Sequence, residues 1–210
     1  MRDQPMSVTV RQTLGGRAHP GILAAATPLA ADAALNDIAR AATAGDVEAV
    51  GRLYDELVGP IYRYVVFRVR RREDAEDLTQ VVFERIVTAL PRYRHDGKPF
   101  AAWAFRIARN AVIDHHRRTR QMEPLDVVAE SSDGAGLDAI TLREEELREL
   151  RAAIRRLTPD QREALILRYA AGLSADEAAQ VMGRRAGTIR GLTFRAIEAL
   201  RRQLGGARDR

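Results

Sequence analysis

The stretch LTPDQREALILRYAAGLSADEAAQVMGRRAGTIR, Leu157 to Arg190, declares its own helix boundaries. Thr158-Pro159-Asp160-Gln161 supplies a capping hydroxyl, a proline at the first helical position and a glutamine three residues after the cap, so a helix starts there. It runs through Leu165, Ile166 and Leu167 to Tyr169 and is expected to stop at Gly172. Ser174-Ala175-Asp176-Glu177 is a full capping box that opens a short helix closing at Met182-Gly183. A last helix, from about Ala186 to Leu204, turns Ile189, Leu192, Ala196 and Leu200 to one side. Its other side carries Thr188, Gly191, Arg195 and Arg202, with Arg184, Arg185 and Arg190 around its start. Two helices joined by a glycine-containing turn, the second one longer and basic, make a helix-turn-helix; a purely structural three-helix bundle is the alternative. In the former, the second helix enters a major groove, where arginine pairs bidentately with guanine.

Outward from this stretch, a helix from about Thr141 to Leu157 opens the same unit. Residues 121–140 change character: they are acidic, contain Ser and Gly, and lack Lys and Arg, as a flexible linker between two domains would. On its far side lies KPFAAWAFRIARNAVIDHHRRTR, Lys98 to Arg120. At about 100° per residue, Ala104, Ile107, Ala108 and Ala111 share one side of a helix, while Arg106, Arg109, Asn110 and Arg117 gather on another. Trp103, the only tryptophan, sits at the border. An indole beside guanidinium groups suits unstacked nucleic acid, because the cations hold phosphates and the ring replaces a lost stacking partner. A core tryptophan beside a solvated arginine face reads equally well from this helix alone. The preceding loop, with His95, Asp96, Gly97 and Lys98, combines donors, acceptors and backbone freedom in one turn, which fits a pocket for an extruded base or a plain turn.

Further back, EDAEDLTQVVFERIVTAL from Glu73 is a helix with the apolar stripe Ala75, Leu78, Val82, Ile86 and Ala89. Glu73, Asp77, Gln80 and Glu84 project opposite, either as a solvated face or as a dock for a basic partner. Asp46 after Gly45 is expected to cap a helix through Leu57, and a separate helix is expected from about Pro60, ending in Arg70-Arg71-Arg72. No segment alternates as a strand does, so the fold class expected is all-α, in two small helical domains. Residues 1–35 show no sustained period and read as a flexible tail, giving the organisation 1–35 tail, 36–120 first domain, 121–140 linker and 141–206 second domain. Gly21 to Leu35 mimics a signal peptide weakly, but Pro28 and Asp32 interrupt it.

Composition bounds the partners. The 210 residues carry a net charge of +5, with 46% hydrophobic residues, and Lys98 is the only lysine. Arginine favours bidentate phosphate contacts, so the charge suggests a polyanionic partner. Without cysteine there are no disulfides or thiolate metal sites, which fits a cytoplasmic location, and His19, His95, His115 and His116 have no metal-ligand spacing. No cofactor and no catalytic residue is expected.

DAEDLTQVVF (Asp74 to Phe83), WAFRIARNAVIDHHRR (Trp103 to Arg118) and Leu157 to Arg190, in this order across an acidic linker, together resemble the extracytoplasmic-function (ECF) sigma factors of the sigma-70 family. The resemblance covers roughly Asn36 to Leu204. It implies a transcription initiation factor that binds core RNA polymerase, with the Asp74, Asp77, Leu78, Gln80 and Phe83 helix on the β′ coiled coil and the second domain on the β flap. It implies reading and melting of the minus-ten promoter element, duplex and then single-stranded, by His95, Asp96, Lys98, Trp103, Arg106, Arg109, Asn110, Arg117 and Arg118. It implies minus-thirty-five recognition by Arg184, Arg185, Thr188, Arg190, Gly191 and Arg195. An anti-sigma factor is a further partner the family implies. Arg185 replaces a serine cap common in the family, and Leu192 a common basic residue, so an unusual minus-thirty-five preference is expected. The rival reading is a stand-alone helix-turn-helix regulator, which leaves the acidic face of the Glu73 helix without a role.

Overall fold

The computed structural model describes residues 32–122 and 141–205, all of whose regular elements are helical. Most of the tail and linker assigned above lie outside these residues. The first domain holds α1 (Asp32–Thr43), α2 (Val47–Val66), α3 (Arg72–Ala89) and α4 (Phe100–Met122). The second holds α5 (Thr141–Arg155), α6 (Pro159–Leu165), α7 (Ala175–Met182) and α8 (Ala186–Gly205). Helix α6 continues into a π-helical turn, Ile166–Ala170.

Local signals set most boundaries. Asp46 accepts hydrogen bonds from the Glu48 and Ala49 amides at 2.9 and 3.1 Å, satisfying two of the donors that the start of α2 leaves unpaired. Both capping boxes form in full, at Thr158 with Gln161 and at Ser174 with Glu177. Gly183 ends α7 at φ +64°, a left-handed conformation that costs a residue with a Cβ. Thr158→Ala should therefore lower stability by about 1 kcal/mol, read from the urea midpoint at unchanged slope.

Two boundaries differ from the sequence expectation. Helix α1 begins at Asp32 rather than after Leu35, and Leu35 is part of the core. Helix α2 does not break before Pro60 but runs through it. Proline removes one hydrogen bond and crowds the residue before it, but that residue is Gly59, which has no Cβ to clash. Burial of Leu57, Pro60, Ile61, Tyr64 and Val65 along one side holds the helix together across the gap.

In the first domain α2 packs on α1, α3 and α4, around Leu53, Leu57, Ile61, Phe100 and Phe105. Tyr64 meets Phe105 edge-on with ring centroids 5.7 Å apart. In the second, α8 packs on α5, α6 and α7 around Leu165, Leu167, Leu173 and Ile189. The two domains also pack on each other, α4 against α7 and α2 against the π-helical turn, so that one apolar core runs through both.

Candidate nucleic-acid and polymerase interfaces

Helix α3 presents the first candidate surface. Ala75, Leu78, Val82 and Ile86 are buried, and Glu73, Asp77, Gln80 and Glu84 are exposed on the opposite side. Arg71 and Arg72 pair with Glu73 and Glu76 at 3.6 and 3.0 Å, whereas Asp77 has no ion-pair partner among the described residues. Leu78 and Phe83, assigned above to the polymerase contact, are core residues instead, each 3% exposed. Phe83 packs against Tyr54 with centroids 4.7 Å apart, because its position falls on the inner side of α3. The outward part of the motif is thus Asp77 and Gln80, with Asp74 half-buried at the margin.

The second surface is built on α4 and the loop before it. Asn36 of α1 accepts a hydrogen bond from the Phe100 amide at 2.8 Å, capping α4 from a distant element. Tyr93, Phe100 and Trp103 form a ring cluster, with Tyr93–Trp103 and Phe100–Trp103 centroids 4.8 and 5.1 Å apart. Trp103 is half-buried: Tyr93 and Phe100 pack against the indole, and part of it stays exposed. His95 meets Tyr93 edge-on, and the Lys98 ammonium pairs with Asp96 at 2.5 Å. That hydrogen bond holds the Asp96 carboxyl below the usual range. Arg106, Asn110, Arg117 and Arg118 are exposed on α4. Arg117 stands 4.0 Å from Asp114, which α3 also holds through Arg85 at 3.0 Å.

Arg109 has a different setting. Its Nε lies 3.4 Å from Oε1 of Glu163 in α6, and Arg68 Nη1 lies 2.7 Å from Oε2 of the same carboxylate. Tyr64 donates its hydroxyl to Glu163 Oε1 at 2.9 Å, and Arg63 donates to the Ala170 carbonyl at 2.8 Å. Burial, and then the Glu163 charge, push the Tyr64 phenol well above its ordinary value. The sequence reading gives none of Arg63, Tyr64, Arg68 and Glu163 a site role; Tyr64 and Arg68 enter it only as members of the helix expected from about Pro60. A lone Glu163 before Ala164-Leu165-Ile166, and a lone Arg68 inside Val66-Phe67-Arg68-Val69, were the available signal, since a charge within an apolar run needs a partner.

The third surface is α8. Thr188 and Arg195 are exposed and Gly191 is half-buried, all on one flank of the buried stripe Ile189, Leu192 and Ala196. The Arg195 guanidinium lies over Gly191, where an added Cβ would stand 3.5 Å from it. Arg184 and Arg185 are exposed in the turn, and Arg184 pairs with Asp160 at 3.3 Å. Arg190 is exposed on the opposite flank, so the helix does not bring it together with Thr188 and Arg195. Leu192 is a core residue, 9% exposed.

These surfaces coincide with segments shared by known proteins. The model of Sigma-70 region 2 matches residues 53–122, and that of Sigma-70 region 4 matches residues 147–200. The ECF RNA polymerase sigma factor BldN of Streptomyces coelicolor is 37% identical over 180 residues, covering 82% of this chain and 66% of its own length. The ECF RNA polymerase sigma factor SigD of Mycobacterium tuberculosis is 32% identical over 182 residues, covering 83% of this chain and 86% of its own length. The chain belongs to the ECF RNA polymerase sigma factors. As such it is a promoter-directing sigma factor with an all-helical, two-domain fold. Two solved structures share that fold at 24% identity. CnrH, solved with the cytosolic domain of CnrY, has a TM-score of 0.65 over 82% of this chain and 98% of its own. The sigma factor RpoE of Bartonella quintana, solved with the anti-sigma factor NepR, has a TM-score of 0.58 over 76% and 98%. No described helix of this sigma factor is long and apolar enough to cross a membrane.

Proposed function

We propose that this sigma factor docks on the β′ coiled coil of core RNA polymerase through Asp74, Asp77 and Gln80 of α3. The observation that carries the reading is an acidic, outward row on α3 in a chain whose α4 and α8 faces expose arginine. The row complements a basic partner and repels DNA, which assigns the two kinds of surface to two kinds of partner. The face of α4 with His95, Lys98, Trp103, Arg106, Asn110 and Arg117 reads and opens the minus-ten element. Phosphate contacts supply position, and stacking on the open side of Trp103 offsets the few kcal/mol that extruding a base costs. In the second domain Arg184, Arg185, Thr188 and Arg195 read the minus-thirty-five element in the major groove. Phe194, 66% exposed on α8, offers an apolar contact for the β flap.

Nothing in this scheme is catalytic; the protein lends specificity and leaves polymerase after initiation. The acidic linker occupies channels of polymerase until RNA displaces it. An anti-sigma factor, such as the NepR solved with RpoE of Bartonella quintana, would act by covering the α3 row or the α4 face.

The test is transcription in vitro with core polymerase and a promoter library. Promoter-specific transcripts that depend on the protein are expected. Their absence, together with tight binding to duplex DNA by the protein alone, would replace this reading with a stand-alone regulator.

A further inference from the structure

We infer that Arg68, Arg109 and Tyr64 form a phosphodiester site for the opened minus-ten strand, and that Glu163 of the second domain fills it while the two domains are packed together. The inference rests on the reading of α4 as the promoter-facing helix and extends it to residues of α2 and α6. Three groups of the first domain converge on one carboxylate: Arg68 Nη1 pairs with Oε2 at 2.7 Å, Tyr64 donates its hydroxyl to Oε1 at 2.9 Å, and Arg109 Nε stands 3.4 Å from Oε1 as an ion pair without hydrogen-bond geometry. The Glu163 side chain is only 6% exposed, so its charge depends on this cradle. The cradle is not saturated by it. Two guanidiniums face one carboxylate, and the Nε atoms of Arg68 and Arg109 are buried without a hydrogen-bond acceptor among the described residues.

A cradle with two cations, a hydroxyl donor and unused N–H groups suits a phosphodiester, which carries one negative charge on two terminal oxygens. The two Glu163 oxygens stand in for those oxygens in this structure. Arg68 is held in place by the Tyr64 ring, 6.0 Å from its guanidinium carbon, so the site belongs to the first domain and persists when the second domain leaves. It is continuous with the proposed strand-binding face through Arg109, a neighbour of Arg106 and Asn110 on α4. The arrangement also excludes DNA. While Glu163 occupies the cradle the site itself is closed to a strand, although Arg106 and Asn110 beside it on α4 stay exposed. Moving the second domain to a distant minus-thirty-five element vacates the site as the strand arrives.

The experiment uses the full chain, which contains no cysteine and so accepts single labels at introduced cysteines, for example at exposed Glu56 and Arg201. Energy transfer between them reports domain packing, and anisotropy of a labelled 12-nucleotide single strand of mixed sequence reports phosphate binding without polymerase. Glu163→Gln should lower energy transfer and raise affinity for the strand about tenfold, the gain for a closed state populated near nine-tenths. Arg68→Ala in that background should remove the gain and flatten the salt dependence of log K by about 0.7, one phosphate contact on a single strand. Tyr64→Phe, which deletes one hydrogen bond and keeps the packing, should lower energy transfer by less than Glu163→Gln, and in the Glu163→Gln background should weaken strand binding, since the same hydroxyl serves the phosphate. Unchanged energy transfer in Glu163→Gln would show that Glu163 does not hold the domains together. Lowered energy transfer without an affinity gain would show that the cradle does not take phosphate. Either result overturns the inference and leaves promoter-specific transcription by the parent protein, measured separately, to stand or fall by itself.

Discussion

Asp77→Arg should abolish promoter-directed transcription and leave the fold unchanged. Asp77 is exposed in the middle of the row formed by Glu73, Gln80 and Glu84, one helix side away from the buried Leu78 and Val82. Replacing it deletes no core contact, so stability should move by no more than about 0.5 kcal/mol, as for surface sites generally. Binding is another matter. A guanidinium placed against a basic partner surface converts attraction to repulsion, and like charges at an interface cost several kcal/mol. A loss of about 3 kcal/mol already corresponds to more than a hundredfold in affinity. Retention on immobilised core polymerase and run-off transcription should both fall below detection at concentrations that saturate the parent, while the thermal midpoint moves by only a few degrees. Binding to a duplex minus-thirty-five fragment should be unaffected, because the surface proposed for that contact lies on α8. If the variant keeps full affinity for core polymerase, the acidic row is an ordinary solvated face.

The features that were legible in the sequence are local ones. The two capping boxes at Thr158 and Ser174 need only residues three apart, and the outward row of α3 follows from a period that any long helix repeats. The helix-turn-helix follows from those boundaries, and with it the all-helical class. Pro60 was misread because the signal for a break is local, whereas the burial that overrides it comes from α1, α3 and α4. The burial of Leu78 and Phe83 is legible only from the angle each takes on α3. They match a family motif, but that motif mixes outward residues with residues buried against the core. Arg190 joined Thr188 and Arg195 through the family resemblance, whereas the helical angle puts it on the other flank of α8.

The cluster at Glu163 was out of reach, since its members Tyr64 and Glu163 are 99 residues apart. Each taken singly is a charge or a hydroxyl in an apolar run, and only the packing of the second domain on the first shows which one answers which. Arg109 illustrates the cost. Its place on the basic side of α4 was correct, but its partner in this structure is a carboxylate of the other domain rather than solvent.

Trp103→Ala should reduce open-complex formation on duplex promoters by roughly five- to 150-fold, the range expected when a stacking surface worth about 1–3 kcal/mol per base is lost. The indole is half-buried between Tyr93 and Phe100, so some loss of stability is also expected, about half of the 3–5 kcal/mol typical of a fully buried tryptophan. The two effects separate by template. On a promoter already unpaired across the minus-ten element, the cost of extruding a base has been met in advance, and transcription at saturating holoenzyme should return to the parent level. Damage to the first domain would depress both templates alike, and Trp103→Phe, which keeps a ring in the cluster, should fall between the parent and Trp103→Ala on duplex DNA only. Because Trp103 is the only tryptophan, its fluorescence gives a direct reading. Quenching by a single-stranded minus-ten oligonucleotide, lost when Lys98 and Arg106 are both changed to alanine, would place a base against the open side of the ring. Equal activity of Trp103→Ala and parent on both templates would make the indole part of the Tyr93–Phe100 packing alone and move base capture to the His95–Lys98 loop.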